Sequence, residues 1–472
     1  MTPDATKNRP NVLILMMDAT RATRLSCYGY PKATTPNLDQ LAAQGVLYEQ
    51  AIAPAPWTLE STASLFTGLY PSQHGTNFDH QFLEPQFTTL AEMLTAHDYQ
   101  TALFGTVEWI SDLFGMTRGF QSRTNYAQGL PWLRRYFKKT TKFEKALRYI
   151  RWTLYSNRYG KMTHEALHDM RRWFQQTHQA NRPFFVMAHL ADPHWPWYFH
   201  PKTTQVSGPK RPRILAPDAH RFIAGEVSFS EADLTLMNEY YDGEIRFLDD
   251  YLGKALGWLE ANGHLEDTIV LVFSDHGEEI GDHGLLGHGW SVYEPELRVP
   301  MIIHHPTYFT GGQRITEPVQ SVDVFPTVME LAGVDRGTVP NPLFGRSLLP
   351  DKVRANPRPF TISERLAPSV RRFERLMPNF DTTRIKRQLR GLRQRGPGYK
   401  LIWGSDGKHE LYNLAHDPHE LTDLAEREPE QLKAMLAQLQ KWQDSLGAVS
   451  FGQLQPEMEE VLKERLKDLG YL

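Results

Sequence analysis

Residues Thr268–Gly277 read TIVLVFSDHG: a short apolar run that ends abruptly in a carboxylate, an imidazole and a glycine. A run of this length bounded by polar residues is a buried strand, and Gly277 lets the chain turn as it leaves the sheet. The pattern recurs. Val12–Met17 is apolar and ends at Asp18, and Pro183–Leu190 (PFFVMAHL) is apolar and ends in ADPH, which sets Asp192 and His194 at a strand end. Helical stretches lie between: Thr35–Gly45, with proline at its start and glycine as its stop, then Thr88–His97, Glu231–Gly263 and Asp323–Gly333. Further strands are expected at Val46–Ile52, Gln100–Phe104 and Val299–His304. Strands alternating with helices predict a doubly wound α/β sheet, and sites in such sheets lie outside the carboxyl ends of the strands. Asp18, Asp192, His194, Asp275 and His276 all stand there.

The chain of 472 residues has room for two domains, or for one large domain with an appendage. Short strands at Tyr399–Trp403 and Glu410–Leu414, with helices at Pro429–Leu446 and Met458–Leu469, predict a small C-terminal α+β domain over 360–472 after a catalytic domain over 1–359. A net charge of −3 argues against any general attraction to nucleic acid. The single cysteine, Cys27, excludes an intramolecular disulfide. With no secretory signal and no apolar run of about 20 residues, cytoplasmic residence is the expectation. Two segments are strongly basic: Pro131–Lys161 carries ten Lys/Arg against Glu144 alone, and Arg365–Lys400 carries eleven against Glu374 and Asp381. They read equally as solvated surface or as a cationic rim that draws an anionic substrate or a membrane surface.

Ala53–Gly75 (APAPWTLESTASLFTGLYPSQHG) supplies a nucleophile. Pro54 and Pro56 hold the approach extended, and Thr58 falls where a helix begins. A hydroxyl there faces unpaired N–H groups and the positive end of the helix dipole, a setting that welcomes a phosphate-like group. Taken alone, Thr58 reads first as a plain helix cap; the rest of the chain reverses that. The carboxylate and imidazole of Asp275 and His276, with Asp18 and the Thr58 oxygen, make a four-ligand O/N set suited to a divalent metal. Such a metal would acidify the otherwise inert hydroxyl. Arg21 is placed either to pair with a carboxylate or to reach the substrate. His74 and His189 read as structural, and Asp282-His283-Gly284 as a turn.

The chain resembles the sulfatase family of the alkaline phosphatase superfamily. The resemblance rests on PNVLILMMDATR with LSCYGY, TTPNLDQLAAQGVLYEQAIA, PWTLESTASLFTGLYPSQHG, HLADPHWP, TIVLVFSDHGEEIGDHGLLGHG, LRVPMIIHHP, SVDVFPTVMELAG and ELYNLAHDPHELTDLA. It implies an alkaline-phosphatase-like α/β/α sandwich with a smaller C-terminal domain, and hydrolysis or transfer of an anionic sulfate or phosphate ester. By that likeness Asp18, Thr58, Asp275 and His276 bind metal and Thr58 is the nucleophile. Asp192, His194 and His288 would contact the oxyanion, protonate the leaving group or hold a second ion.

Several positions depart from the family pattern. Sulfatases carry Cys or Ser at the nucleophile, oxidised to formylglycine; Thr58 would give a ketone, so no formylglycine is expected. Thr62 stands at the motif's arginine, Ala19 at an aspartate of the calcium site in many sulfatases, and His288 where lysine is common. A Thr nucleophile is similar instead to phosphodiesterases and to phosphoethanolamine or phosphoglycerol transferases of the superfamily. Those imply a phospho-threonine intermediate and zinc or manganese, with calcium or magnesium as the alternatives. The other readings are a sulfatase acting without formylglycine and a binding protein that has lost catalysis.

Overall fold

A computed structural model describes residues 9–126, 155–156, 158, 160–206, 214–215, 217–366, 368, 370–396 and 398–446. Its centre is an eight-stranded mixed sheet. In chain order the elements that build the molecule are β1 (Asn11–Met17), α1 (Pro36–Gln44), β2 (Val46–Tyr48), β3 (Ala51–Ile52), α2 (Thr58–Thr67), α3 (Leu90–Ala96), β4 (Gln100–Gly105) and β5 (Ser122–Asn125). They continue with α4 (Thr163–Gln176), β6 (Phe184–Leu190), α5 (Glu231–Ala261), β7 (Thr268–Phe273), β8 (Arg298–Val299), β9 (Met301–His304), β10 (Gln313–Ile315), β11 (Val319–Gln320) and α6 (Val324–Leu331). The large sheet runs β10-β2-β9-β7-β1-β6-β4-β5.

β1 is the central strand, parallel to both β6 and β7, with Met17 opposite Leu190 and Met16 opposite Phe273. All of its residues after Asn11 are buried, as expected of a parallel strand covered on both faces. Alternation then feeds two cores. Val12, Ile14 and Met16 point into the layer holding α2, α3 and α6. Leu13, Leu15 and Met17 point into the layer holding α1, α4 and α5. The result is the alkaline-phosphatase-like α/β/α sandwich, and the carboxyl ends of β1, β6 and β7 come out side by side.

The expected strand Val46–Ile52 is two strands. Glu49 and Gln50 interrupt it, their side chains taken by Arg314 (2.6 Å) and Arg393 (2.7 Å). β2 stays in the large sheet, and β3 pairs with β8 and β11 in a separate three-stranded sheet. Thr58 is the first residue of α2, so the extended Trp57, not Thr58, is the cap.

Toward the C-terminus, β12 (Phe360–Arg365), β13 (Leu389–Gln394), β14 (Tyr399–Gly404) and β15 (Glu410–Asn413) form a four-stranded antiparallel sheet in that order. α7 (Pro429–Ser445) packs Met435, Leu439 and Trp442 against Ile362, Leu392, Leu401 and Leu411. The expected helix Met458–Leu469 and most of the basic stretch Pro131–Lys161 lie outside the described residues. The second basic stretch is largely ion-paired: Arg387 with Glu410, Arg390 with Glu364, Arg393 with Glu294, and Lys400 with Glu294 and Glu420. Among the described residues no helix is long and apolar enough to cross a membrane.

Candidate active site

Two strand ends and one helix start meet at the carboxyl edge of β1. Asp18 leaves β1, Asp275 and His276 leave β7, and Thr58 opens α2. Ligand atoms of Asp18, Asp275 and His276 lie within 4.8 Å of one another. His276 Nε2 is 3.6 Å from Asp18 Oδ1, 3.5 Å from Asp275 Oδ2 and 3.1 Å from Thr58 Oγ1. The His276 Nδ1–H donates to the Gly277 carbonyl at 2.8 Å, which leaves Nε2 with its lone pair toward Thr58. The structure thus brings together the four residues Asp18, Thr58, Asp275 and His276.

Backbone geometry fixes this cluster. Ala19 lies in the left-handed region at φ 54°, which non-glycine residues adopt only under constraint. That turn aims the Ala19 N–H at Asp275 Oδ1 (3.3 Å), and the Ala19 carbonyl accepts from the Tyr241 hydroxyl (2.6 Å). From α2, the Ser61 hydroxyl donates to the Asp275 carbonyl at 2.7 Å and locks helix to strand end. Thr62 turns away into the core beside Met16.

The electrostatics are unbalanced. Asp18 and Asp275 are fully buried, and both Asp18 oxygens and Asp275 Oδ2 lack any hydrogen-bond donor. Burial, with Asp275 and Glu278 nearby, pushes the Asp18 carboxyl well above the usual carboxylate range. Burial acts the same way on Asp275, but His276 and His189 outweigh it and hold that carboxyl low. Among the described residues neither carboxylate has a lysine or arginine in ion-pair range; their only such neighbours are the imidazoles of His189 and His276. Two buried carboxylates with no lysine or arginine beside them, and with donors only at Asp275 Oδ1, are costly. A divalent cation among them removes that cost, so the donor set fits a metal.

His189 was expected to be structural, yet its Nε2 lies 3.8 Å from Asp18 Oδ2 and 3.9 Å from Asp275 Oδ2, and neither ring nitrogen has a hydrogen-bond partner. Its signal was its place near the end of β6, opposite Met16. Glu278 was also missed. Its Oε1 accepts from His288 Nδ1 at 2.8 Å and its Oε2 from the Trp195 N–H at 3.1 Å. It therefore ties His288 to the loop carrying His194, and the His288 ring sits 4.7 Å from His194 and 4.3 Å from His276. Burial, with His288 beside it, lowers the His194 imidazole to about 3; burial lowers those of His276 and His288 to about 4.

Asp192 and Arg21 are occupied elsewhere. Asp192 accepts from the Lys161 N–H (3.0 Å) and the Thr163 hydroxyl at the start of α4. Arg21 pairs with Asp282 and donates to the Glu278 carbonyl, so of its two expected roles it takes the carboxylate partner. His74 bonds Ser64 at 3.0 Å inside the core, a structural use.

The family model described as Sulfatase matches residues 10–334, and one described as N-sulphoglucosamine sulphohydrolase, C-terminal, matches residues 281–445. The chain is 24% identical to the ulvan-active sulfatase of Formosa agariphila over 98% of this chain and 82% of that one. It is 26% identical to the multifunctional alkaline phosphatase superfamily protein PehA of Trinickia caryophylli, over 74% and 78% of the two chains. Its fold matches the crystal structure of the phosphonate monoester hydrolase of Agrobacterium radiobacter with a TM-score of 0.72 at 21% identity, covering 95% of this chain and 99% of that one. With a family match over more than half its length, the chain belongs to the sulfatase family of the alkaline phosphatase superfamily and is an ester hydrolase.

Proposed function

We propose that the chain is a metal-dependent hydrolase of phosphate esters or diesters with Thr58 as its nucleophile. The observation that carries this reading is the Thr58 hydroxyl, 3.1 Å from His276 Nε2, at the start of a helix and beside two buried carboxylates, three of whose four oxygens lack donors. Asp18, Thr58, Asp275 and His276 would hold a divalent ion, zinc or manganese by the mixed oxygen and nitrogen set. When bound, that ion supplies Lewis-acid stabilisation of charge on the ester oxygens.

The chain's own groups do the rest. Thr58 Oγ attacks phosphorus in line with the leaving oxygen, while the first N–H groups of α2 face the developing charge. His194 and His288 are neutral in the buried site; an anionic ester beside them raises their basicity, so that one of them takes the proton that Thr58 gives up and passes it to the leaving oxygen. Water, or an acceptor alcohol in a transferase, cleaves the phosphoryl–Thr58 bond. Threonine cannot form the formylglycine aldehyde, which is why an ester intermediate is favoured over a hydrate.

Thr58→Ala should fold normally and lose at least about 10³-fold in kcat/KM on an aryl phosphodiester. Intact mass of the unmodified chain quenched early in turnover should show a phosphoryl adduct that maps to Thr58. Full activity in Thr58→Ala excludes the reading. Sulfate ester hydrolysis is the second reading, favoured by the sulfatase names of the relatives. An aryl sulfate turned over faster than an aryl phosphate, phosphodiester or phosphonate monoester would select it. Cytoplasmic residence belongs to the same proposal and rests on the lone Cys27.

A further inference from the structure

On the α6 side of the molecule a cavity of about 320 Å³ is lined by Val319, Asp323, Arg336, Arg346, Lys352 and Arg358, among others. It shares no lining residue with the cluster around Asp18. Its volume falls at the small end of the roughly 300–1,000 Å³ of ligand pockets.

The charges around it do not cancel. Arg358 is buried; its Nη groups reach Asp323 and the Tyr70 hydroxyl (3.2 Å), and its Nε has no acceptor. Lys352 pairs with Glu330 at 2.5 Å. The acids nearest in sequence are also committed, Glu317 to Arg395 and Asp351 to Arg354, each at 3.7 Å. Among the described residues the guanidinium groups of Arg336 and Arg346 have no carboxylate in ion-pair range; the Arg346 backbone N–H donates to Asp323 Oδ1 at 2.7 Å. Both Nη groups of Arg336 donate to backbone carbonyls, of Gly345 (3.1 Å) and Leu343. Arg346 Nη1 donates to the carbonyls of Asn356 and Pro357, each at 3.2 Å. Its Nε and Nη2 have no acceptor among the described residues. Neutral carbonyls fix a guanidinium in place without cancelling its charge. The Nε–Nη2 edge is the fork that takes two oxygens of a tetrahedral anion at once. Burial, and then the like charge of Arg358, lower the Arg346 guanidinium from its ordinary value, and Asp323 offsets them only in part.

We propose that this cavity is a second anion site, separate from the catalytic centre, which takes a sulfate or phosphate group on the Nε–Nη2 edge of Arg346 with Arg336 alongside. The cavity has room beyond the anion itself, so a sugar ester fits the same place.

Calorimetric titration of the full chain at constant ionic strength, with chloride as the background anion, tests this. Inorganic sulfate and glucose 6-sulfate are titrated separately, before and after chelation of divalent metal. A chelator-insensitive binding event is expected. Arg346→Met should weaken it about tenfold or more, and Lys352→Gln, on an exposed side chain, a few fold. If Arg346→Met does not fold, Arg336→Gln takes its place with the same expectation. Tighter binding of glucose 6-sulfate identifies an esterified ligand, and equal binding identifies the free anion; both support the site. Absence of the chelator-insensitive event, or unchanged affinity in the folded variants, overturns it. Loss of Thr58 chemistry would leave this result untouched, so the two proposals fail independently.

Discussion

Two clusters in this molecule look alike by composition and behave as opposites. Asp18, Asp275 and His276 form one; Asp192, His200 and Glu244 form the other, and both are buried with ligand atoms within 4.8 Å. In the second cluster the carboxylates are provided with donors. Glu244 accepts from Lys161 Nζ (3.2 Å), the Tyr198 N–H (2.6 Å) and His200 Nε2 (3.0 Å). Asp192 accepts from the Lys161 N–H and the Thr163 hydroxyl, and Lys161 Nζ also donates to the carbonyls of Asp192 and His194 (2.6 Å). Gly160, at φ +79°, permits this wrap: a Cβ there would sit 2.2 Å from Asp192 Oδ1. An ammonium thus already fills the second cluster, whereas the first has three carboxylate oxygens with no donor. Two acids and an imidazole do not define a metal site. The balance of donors and charge does.

The largest test of that contrast uses Asp18→Asn. It should remove bound metal and lower kcat/KM by about 10³-fold or more, yet leave the metal-free protein as stable or more stable, because an unpaired buried charge is gone. Lys161→Met should do the reverse to the fold. Breaking a buried pair strands Glu244, at about 3–5 kcal/mol, read as a lower urea midpoint, while metal content per folded molecule stays the same. If Asp18→Asn destabilises the metal-free chain as much as Lys161→Met does, the first cluster is structural. A third test is binding linkage: manganese at about 100 times its Kd should stabilise the chelated chain by about 2.7 kcal/mol and leave Asp18→Asn unmoved.

The same contrast explains what was legible in the sequence. Asp18, Asp275 and His276 could be read because each follows an apolar run, and strand ends project into solvent or into sites. Thr58 could be read from the prolines before it. His189 could not, since an imidazole inside PFFVMAHL looks like a core residue until the pairing of β1 with β6 sets it opposite Met16. Lys161 closes a run of ten basic residues, and nothing local marks it as the one that goes inside. Asp192 reads as a site residue because it stands just past the carboxyl end of the apolar run Pro183–Leu190. Its partners, Lys161 and Thr163, lie about thirty residues earlier and are joined to it only by the fold. β12 and β13, FTISER and LRGLRQ, escaped for a related reason. Their arginines read as surface, while the acids that neutralise Arg390 and Arg393 come from Glu364 on the neighbouring strand and from Glu294 across the molecule.

The smallest test concerns the cation the first cluster does not use. Arg21 lies three residues after Asp18, but its guanidinium is held by Asp282 and the Glu278 carbonyl. Burial alone would raise the Asp282 carboxyl; Arg21 outweighs it and holds that group at about 2, against an ordinary 3.8. A depressed folded value means the charged form stabilises the fold. The contribution is fully present above pH 3.8 and is lost as pH falls through about 2. Asp282 is partly exposed, so the effect is below about 1 kcal/mol. Urea titrations across this range should therefore show a shallower acid limb in Asp282→Asn than in the unmodified chain. An unchanged limb would mean that Arg21 is free of Asp282, and a mobile guanidinium three residues from Asp18 could then neutralise the first cluster without any metal.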